Sequence, residues 1–156
     1  MAGIGESDYR AGARERLADA YLLLRQDRLG GSVYLAGRAV EGMLRAVIWK
    51  SDPDYATGRK TLDTGHTLRD VLRVIRNLGA FRDTGLWESL AADVQKVGRL
   101  WWNNTRFLAT AKIQTAWYRL NEVGGRRTMK QAATEYYDAC SAILKRCETL
   151  WQSRRE

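Results

Sequence analysis

The feature that most constrains this fold is the spacing of the apolar residues between Ser32 and Trp49. They recur at steps of three and four residues, the repeat of one helix face, at Val33, Ala36, Gly37, Val40, Leu44, Val47 and Ile48. One whole face must therefore be buried, and we predict that this segment is the core helix. Ala36, Gly37 and Ala39 are small enough for a second helix to approach closely, which favours an antiparallel pair with the preceding helix.

Similar spacing predicts helices along most of the chain. The first covers residues 8–28, with Ser7 and Asp8 as possible caps and a buried side made of Ala13, Leu17, Ala20 and Leu24, widened by Leu22 and Leu23. Gly30 and Gly31 are expected to end it, and Ser32 to cap the core helix. Residues 51–66 are polar and lack periodicity, so we predict a loop there.

The second half of the chain repeats this pattern. A short helix from Thr67 to about Gly79 buries Leu68, Val71, Leu72 and Ile75, and the next, from Gly85, buries Leu90, Val94, Val97 and Trp101. That helix is expected to stop or kink at Asn103 and Asn104 and to resume through Leu108, Ala111 and Thr115 to Leu120. Gly124 and Gly125 form a turn. Thr128 then caps a final helix whose apolar positions are Met129, Ala132, Ala133, Tyr136, Cys140, Ile143, Leu144, Cys147, Leu150 and Trp151.

No segment alternates with a period of two residues, so no sheet is expected. We predict an all-α fold, a single-domain bundle of about five helices over residues 1–156. Cys140 and Cys147 lie on one helix face, roughly 10 Å apart, which is too far for a disulfide. They are interpreted as buried small hydrophobic residues in a reducing compartment. No apolar stretch is long enough to span a membrane, so a cytoplasmic protein without membrane contacts is expected.

The net charge of +8 points toward polyanionic partners, although a charge excess also serves solubility. Half of the excess falls in residues 61–120, which hold 9 Lys and Arg against 5 Asp and Glu. On the core helix, Arg38, Glu41 and Arg45 form a stripe that we interpret as a solvated charge ladder, with a role in binding as the alternative.

The most unusual stretch is Trp101-Trp102-Asn103-Asn104-Thr105-Arg106-Phe107, which places two indoles, two amides and a guanidinium close together. Such a run suits neither a solvated face nor a core, so it is expected to cap a helix break or to line a cleft or interface. Trp101 belongs to the core by its spacing, whereas Trp102 is free to stack on bases or sugars. Arg106 is either a phosphate ligand or a buried arginine paired with helix-end carbonyls or Glu41.

Several enzyme classes are excluded by what the sequence lacks. His66 is the only histidine, so neither a zinc cluster nor a histidine-based triad away from that residue is available. At the predicted loop-to-helix junction, His66 is expected to cap and pack. No glycine-rich phosphate loop is present either, and no cofactor is predicted.

The core helix from Tyr34 to Leu44, the Gly65-His66-Thr67-Leu68 junction, the run from Trp102 to Phe107 and the last helix ending at Trp151 together resemble a HEPN domain. HEPN domains are small all-α domains of prokaryotic toxin–antitoxin and antiviral defence systems, often found beside a nucleotidyltransferase. The resemblance implies a metal-independent ribonuclease that dimerises and places an arginine and a following histidine across a shared cleft.

Carried over to this chain, the resemblance makes Arg106 the catalytic arginine, with Asn103 and Asn104 as polar neighbours. The histidine has no counterpart, because the corresponding positions reach Ala111, Lys112 and Ile113. RNA cleavage through the 2′-hydroxyl needs a general acid and a general base, and arginine supplies neither at neutral pH. Lys112 could act only with a much lowered pKa, and His66 only if folding brings it to the cleft.

We therefore expect a degenerate HEPN-like component of a defence or toxin–antitoxin module that binds RNA or a nucleotide. The predicted binding residues are Trp102, Asn103, Asn104, Arg106 and Lys112, and the expected partner is a second copy or a protein such as a nucleotidyltransferase. Two alternatives stay open: an active metal-independent ribonuclease that uses Arg106, and a helical adaptor for another protein.

Overall fold

The structure, a computed structural model, describes residues 4–60, 68–77, 84–101, 105 and 107–152. These residues form an all-α bundle, as predicted, and contain no strand beyond one isolated bridge between Gly124 and Arg127. The helices are α1 (Glu6–Arg25), α2 (Leu29–Ser51), α3 (Pro53–Ala56), α4 (Leu68–Asn77), α5 (Thr84–Leu100), α6 (Thr110–Arg119) and α7 (Met129–Gln152). None of these helices is both long and apolar enough to cross a membrane.

Helix α2 is the core helix, as its apolar spacing predicts. Val33, Ala36, Val40, Leu44 and Ile48 are all fully buried, and α1 and α7 both pack against this helix. Helix α1 passes close to Gly42, where a Cβ would lie 3.5 Å from the Cβ of Ala13, an ordinary van der Waals distance. The predicted pairing of the first two helices is therefore confirmed.

The turn between α1 and α2 corrects two expectations. Gly30 and Gly31 do not end the first helix but lie in the first turn of α2, and the chain reverses through Gln26–Arg28, where Asp27 has a φ of 58°. Ser32 is not a cap, because it is buried inside α2 and its hydroxyl donates to the Ala20 carbonyl at 2.8 Å. That bond joins the two helices, which a local capping argument does not consider.

The ends and faces of α1 also differ in detail from the prediction. Gly5 is the N-cap, and Asp8 acts from the third helical position by accepting the Gly5 backbone N–H at 2.7 Å. Ala13, Ala20 and Leu24 are buried as predicted. Leu22 is 58% exposed, so it does not widen the buried side of the helix.

The predicted loop over residues 51–66 contains a short helix. Asp52 caps α3 by accepting the Asp54 backbone N–H at 2.9 Å, and Pro53 occupies the first helical turn. A proline is compatible with that position because the first-turn N–H groups have no helical acceptor. Residues 61–67, and with them His66, lie outside the described part of the chain.

Helices α4, α5 and α7 bury the predicted faces, including Val71 on α4, Val94 on α5 and Ile143 on α7; the side chain of Leu72 lies outside the described residues. Helix α5 does end near the predicted break, at Leu100. The buried positions of α6, however, do not continue the spacing of those on α5. Its buried residues are Ile113 and Trp117, whereas the predicted Ala111 and Thr115 are exposed.

The turn and cap before α7 are confirmed. Gly124 and Gly125 have φ values of 125° and 60°, which favour glycine over residues with a side chain. Thr128 accepts the Gln131 backbone N–H at 3.1 Å, and Gln131 accepts that of Thr128 at 2.9 Å. This reciprocal capping box fixes the start of α7.

Candidate functional site

The predicted site lies in the connection between α5 and α6. Trp102, Asn103, Asn104 and Arg106 themselves fall outside the described residues, so the structure does not test their roles. The residues around them are described: Trp101 and Thr105 are buried, and Phe107 is 72% exposed. The two ends of this connection can therefore be located on the bundle.

The first end is held by Trp101, which lies in the core as its spacing predicts. Its indole packs on α2 where Gly37 has no side chain, since a Cβ at that position would lie 2.3 Å from the Trp101 Cδ1. The ring also stacks against Tyr34, with 6.4 Å between the ring centroids. The buried indole N–H of Trp101 has no acceptor among the described residues. Any side chain at position 37 would displace this indole.

The second end is held by Thr110, the first residue of α6. Its hydroxyl accepts the backbone N–H of Gly30 at 3.0 Å, and a Cβ on Gly30 would lie 2.8 Å from that oxygen. Gly30 and Gly37 are seven residues apart, or two turns of helix, so they share one face of α2. Both ends of the connection that carries the predicted site therefore contact the same face.

An open groove of about 1260 Å³ adjoins the Trp101 end of that connection. Its walls come from the first half of α1, the middle of α2, and α3 with the turn that follows it. Tyr34 lines the groove on one side and stacks against Trp101 on the other. Tyr9 and Trp49 also line it and meet edge to face, with ring centroids 5.0 Å apart. The groove thus has aromatic side chains on both of its long walls.

One stripe of α2 supplies most of the chemistry of the groove. It consists of Tyr34, Arg38, Glu41, Arg45 and Trp49, spaced three or four residues apart, and all five line the groove. We refer to these five residues as the α2 stripe. It places an aromatic ring at each end and two arginines with a glutamate between them.

The charged centre of the α2 stripe is a solvated ladder only in part: the Arg38 side chain is 42% exposed, whereas those of Arg45 and Glu41 are 12% and 10% exposed. Glu41 is only 7% exposed because α1 packs beside this part of α2. One carboxylate oxygen accepts from Arg38 Nη1 at 2.6 Å, and the other accepts from Arg45 Nε at 3.2 Å and Nη2 at 3.1 Å. The arrangement is a buried carboxylate that holds two guanidinium groups at the groove.

Both arginines keep donors for another acceptor. Among the described residues, the Nε and Nη2 groups of Arg38 and the Nη1 group of Arg45 have no hydrogen-bond acceptor. The two guanidinium charges and the one carboxylate leave a net charge of about +1 at the centre of the α2 stripe. Arginines fixed in this way are suited to bind a phosphate or carboxylate.

The other charges on the groove are largely engaged with each other. On the α1 wall, Arg16 pairs with Glu15 at 3.4 Å, and Asp8 is occupied by the Gly5 cap. At the far end, Lys60 pairs with Asp52 at 2.9 Å, and this hydrogen bond lowers the pKa of Asp52 and raises that of Lys60. With Asp8, Glu15 and Arg16, the α1 wall carries a net charge of about −1, against about +1 at the centre of the α2 stripe.

The remaining residues singled out in the sequence lie away from the groove. Lys112 is exposed on α6, near the Thr110 end of the connection, and does not line the groove. Cys140 and Cys147 are free and buried; burial raises the pKa of Cys147 to about 12 and that of Cys140 still further. Both thiols therefore stay protonated and unreactive near neutral pH. No group of metal-binding side chains occurs among the described residues.

A role in binding for Arg38, Glu41 and Arg45 was only the alternative in the sequence analysis, which did not connect them with Tyr34 and Trp49. The signal of the α2 stripe was present in the sequence as two aromatic residues that flank an Arg-Glu-Arg series at helical spacing. The spacing alone could not show that Glu41 is buried and holds both arginines at the groove. Comparisons with protein-family models, with curated proteins and with solved structures find no match for this chain.

Proposed function

We propose that this chain is a HEPN-like domain that binds RNA or a nucleotide within a prokaryotic defence or toxin–antitoxin module, without cleaving it. The observation that supports the proposal best is the α2 stripe, where Glu41 holds two arginines between aromatic rings beside the Trp101 anchor. The connection that carries Arg106 thus starts at the rim of a groove with suitable chemistry.

The physical case rests on two interactions that nucleic acids require. Guanidinium groups bind phosphate through paired N–H donors, and Arg38 and Arg45 both keep such donors. Aromatic rings stack on bases with little dependence on sequence, and Tyr34 and Trp49 are both half-buried at the groove. The net charge of +8 adds a long-range attraction for polyanions.

The proposal places binding ahead of catalysis because no histidine occurs among the described residues that line the groove. The groove is lined by arginines, a lysine, tyrosines and carboxylates, of which Glu41 is engaged by two arginines. Metal-free cleavage would need a group whose pKa lies near the working pH. We accordingly expect the purified protein to leave labelled RNA intact in the presence of EDTA.

The test is binding of a fluorescent single-stranded RNA, measured by anisotropy across a salt series. An RNA site that contacts several phosphates should lose affinity steeply between about 50 and 200 mM salt. Arg106→Ala and Lys112→Ala should each weaken binding, whereas the matched control Arg126→Ala, an exposed arginine in the turn before α7, should not. Absence of RNA and nucleotide binding at low salt would contradict the proposal.

A parallel assay separates the two alternatives. Cleavage of RNA that persists in EDTA and disappears in Arg106→Ala would identify an active ribonuclease instead. Salt-insensitive association with a protein partner, without RNA binding, would identify an adaptor. Light scattering of the same samples shows whether the binding species is the expected homodimer.

A further inference from the structure

We infer that the groove is a site for one nucleoside phosphate, with the phosphate held by Arg38 and Arg45 and the base stacked on an aromatic end of the α2 stripe. The inference deepens the proposed function and rests on it for the class of ligand, but it assigns binding to α2 and not to the connection that carries Arg106. The nucleoside phosphate is either a free mononucleotide or one residue of an RNA strand.

The phosphate position follows from the unused donors. Arg38 offers Nε and Nη2, and Arg45 offers Nη1, all from side chains that line the groove. Arg38 and Arg45 are two helical turns apart on one face, and Glu41 lies between them and bonds to both. A phosphate above Glu41 can therefore accept from both guanidinium groups, and its negative charge balances the net positive charge of the three side chains.

Glu41 acts as a positioning residue. Its carboxylate is buried and fixes both guanidinium groups before a ligand arrives, which reduces the side-chain entropy lost on binding. An arginine side chain without such a partner would lose more conformational entropy when it binds a ligand. On the α1 wall, Asp8 and Glu15 outnumber Arg16, which pairs with Glu15, so that wall carries a net negative charge and phosphate is favoured at α2.

The base position follows from the ends of the stripe. Tyr34 precedes Arg38 by four residues and Trp49 follows Arg45 by four, so about 6 Å of helix separates each ring from its nearest arginine. That spacing suits a ligand whose phosphate and aromatic base are joined by one sugar. The groove volume of about 1260 Å³ is ample for one nucleotide.

The experiment titrates the full-length protein with AMP, GMP, CMP and UMP separately, with inorganic phosphate, and with a short single-stranded RNA. Calorimetry gives the affinity, and the indole N–H signal of Trp49 in a ¹H–¹⁵N spectrum reports the groove directly. We expect at least one mononucleotide to bind more tightly than inorganic phosphate and to shift the Trp49 signal.

Four variants and one control locate the site. Arg38→Ala should weaken mononucleotide binding about tenfold through loss of charged hydrogen bonds, and Trp49→Leu, which keeps apolar volume, about tenfold through loss of stacking. Glu41→Gln should weaken it by a smaller factor, about threefold, and Arg38→Lys should restore part of the affinity that Arg38→Ala loses. Arg126→Ala should stay within about twofold of the original chain, and thermal melting of each variant checks that it folds.

The outcomes separate this inference from the proposed function. RNA binding that is lost in Arg106→Ala but unchanged in Arg38→Ala, with no mononucleotide binding, overturns the groove site and leaves the proposed function standing. Mononucleotide binding without RNA binding supports the groove site and limits the function to nucleotides. Equal affinity for phosphate and for every mononucleotide overturns the assignment of the base position.

Discussion

Glu148 and Glu41 are each held by two arginines, and they differ in which elements they connect. Glu148 on α7 accepts from Arg10 and Arg14 on α1, so that cluster joins two helices that are distant in sequence. Glu41 accepts from Arg38 and Arg45 on its own helix. The first cluster therefore contributes to the tertiary structure, whereas the second contributes little to it and lines the groove.

Similar ion clusters therefore have different roles, depending on whether they join two helices or lie within one helix. Breaking a contact between α1 and α7 removes an interaction that the unfolded chain lacks. Breaking a contact within α2 removes one that a local helix partly retains. We therefore expect changes at Glu148 to lower stability and changes at Glu41 to lower ligand affinity. The following predictions test that separation, beginning with the largest effect.

Removing the aromatic ring beside the Glu148 cluster should have the largest effect. Trp151 is buried, with the Arg10 guanidinium 4.9 Å and the Lys50 ammonium 4.3 Å from its ring centroid. Lys50 also donates to the Trp151 carbonyl at 2.6 Å. Trp151→Ala should lower the free energy of unfolding by about 3–5 kcal/mol. Urea denaturation measures this loss, with Trp151→Phe as the milder control, and a loss below about 1 kcal/mol would show that the end of α7 is not docked.

The next effect concerns Glu148 itself. Glu148→Gln keeps the volume but replaces charged hydrogen bonds from two arginines, so we expect a loss of roughly 2 kcal/mol and a melting temperature lower by about 4–8 °C. Arg14→Ala is the matched control, because Arg14 is 56% exposed and its contribution should stay within about 0.5 kcal/mol. Mononucleotide affinity should not change in either variant. A weaker affinity in Glu148→Gln would contradict the separation of the two clusters.

The stability that Glu148 contributes should also depend on pH. Partial burial raises the pKa of Glu148, but hydrogen bonds from Arg10 and Arg14 outweigh it and hold the pKa below the ordinary value of 4.5. A carboxyl with a lowered folded pKa stabilises the fold above its unfolded pKa, and this contribution is lost as the pH falls through the folded pKa. The difference in melting temperature between the original chain and Glu148→Gln should stay constant above about pH 5 and shrink below about pH 4. A difference that is independent of pH would rule out the charge as its source.

The fold was largely predictable because most helices bury one continuous face. Val33 to Ile48 on α2 and Met129 to Trp151 on α7 show that face directly in the sequence, and both faces are confirmed. The buried face of α6 was predicted wrongly because a non-helical connection separates α5 from α6. A new helix need not continue the spacing of buried positions in the helix before it. In α6, Ile113 and Trp117 are therefore buried in place of Ala111 and Thr115.

The site was less predictable because it depends on burial. Arg38, Glu41 and Arg45 have the same spacing whether they are solvated or covered, and only the folded structure shows that Glu41 is buried. Trp101 was predictable as a core residue from its position on the α5 face. Its packing against Gly37 and its contact with Tyr34 were not predictable, because these contacts join residues more than sixty positions apart in the chain.

The smallest expected change in stability is at Glu41. Glu41→Gln keeps the side-chain volume, and its amide oxygen can still accept from Arg45 on the same helix. Because both arginines lie on the same helix as Glu41, part of each contact can persist in the unfolded chain, so the free energy of unfolding should fall by about 1 kcal/mol, less than at Glu148. Mononucleotide affinity should fall in the same variant, because the two guanidinium groups are no longer fixed. Glu148→Gln should therefore cause the larger loss of stability in denaturation, and Glu41→Gln the larger loss of mononucleotide affinity in calorimetry. A loss of stability at Glu41 as large as that at Glu148 would mean that both clusters support the fold, and the groove would then lose its preformed phosphate site.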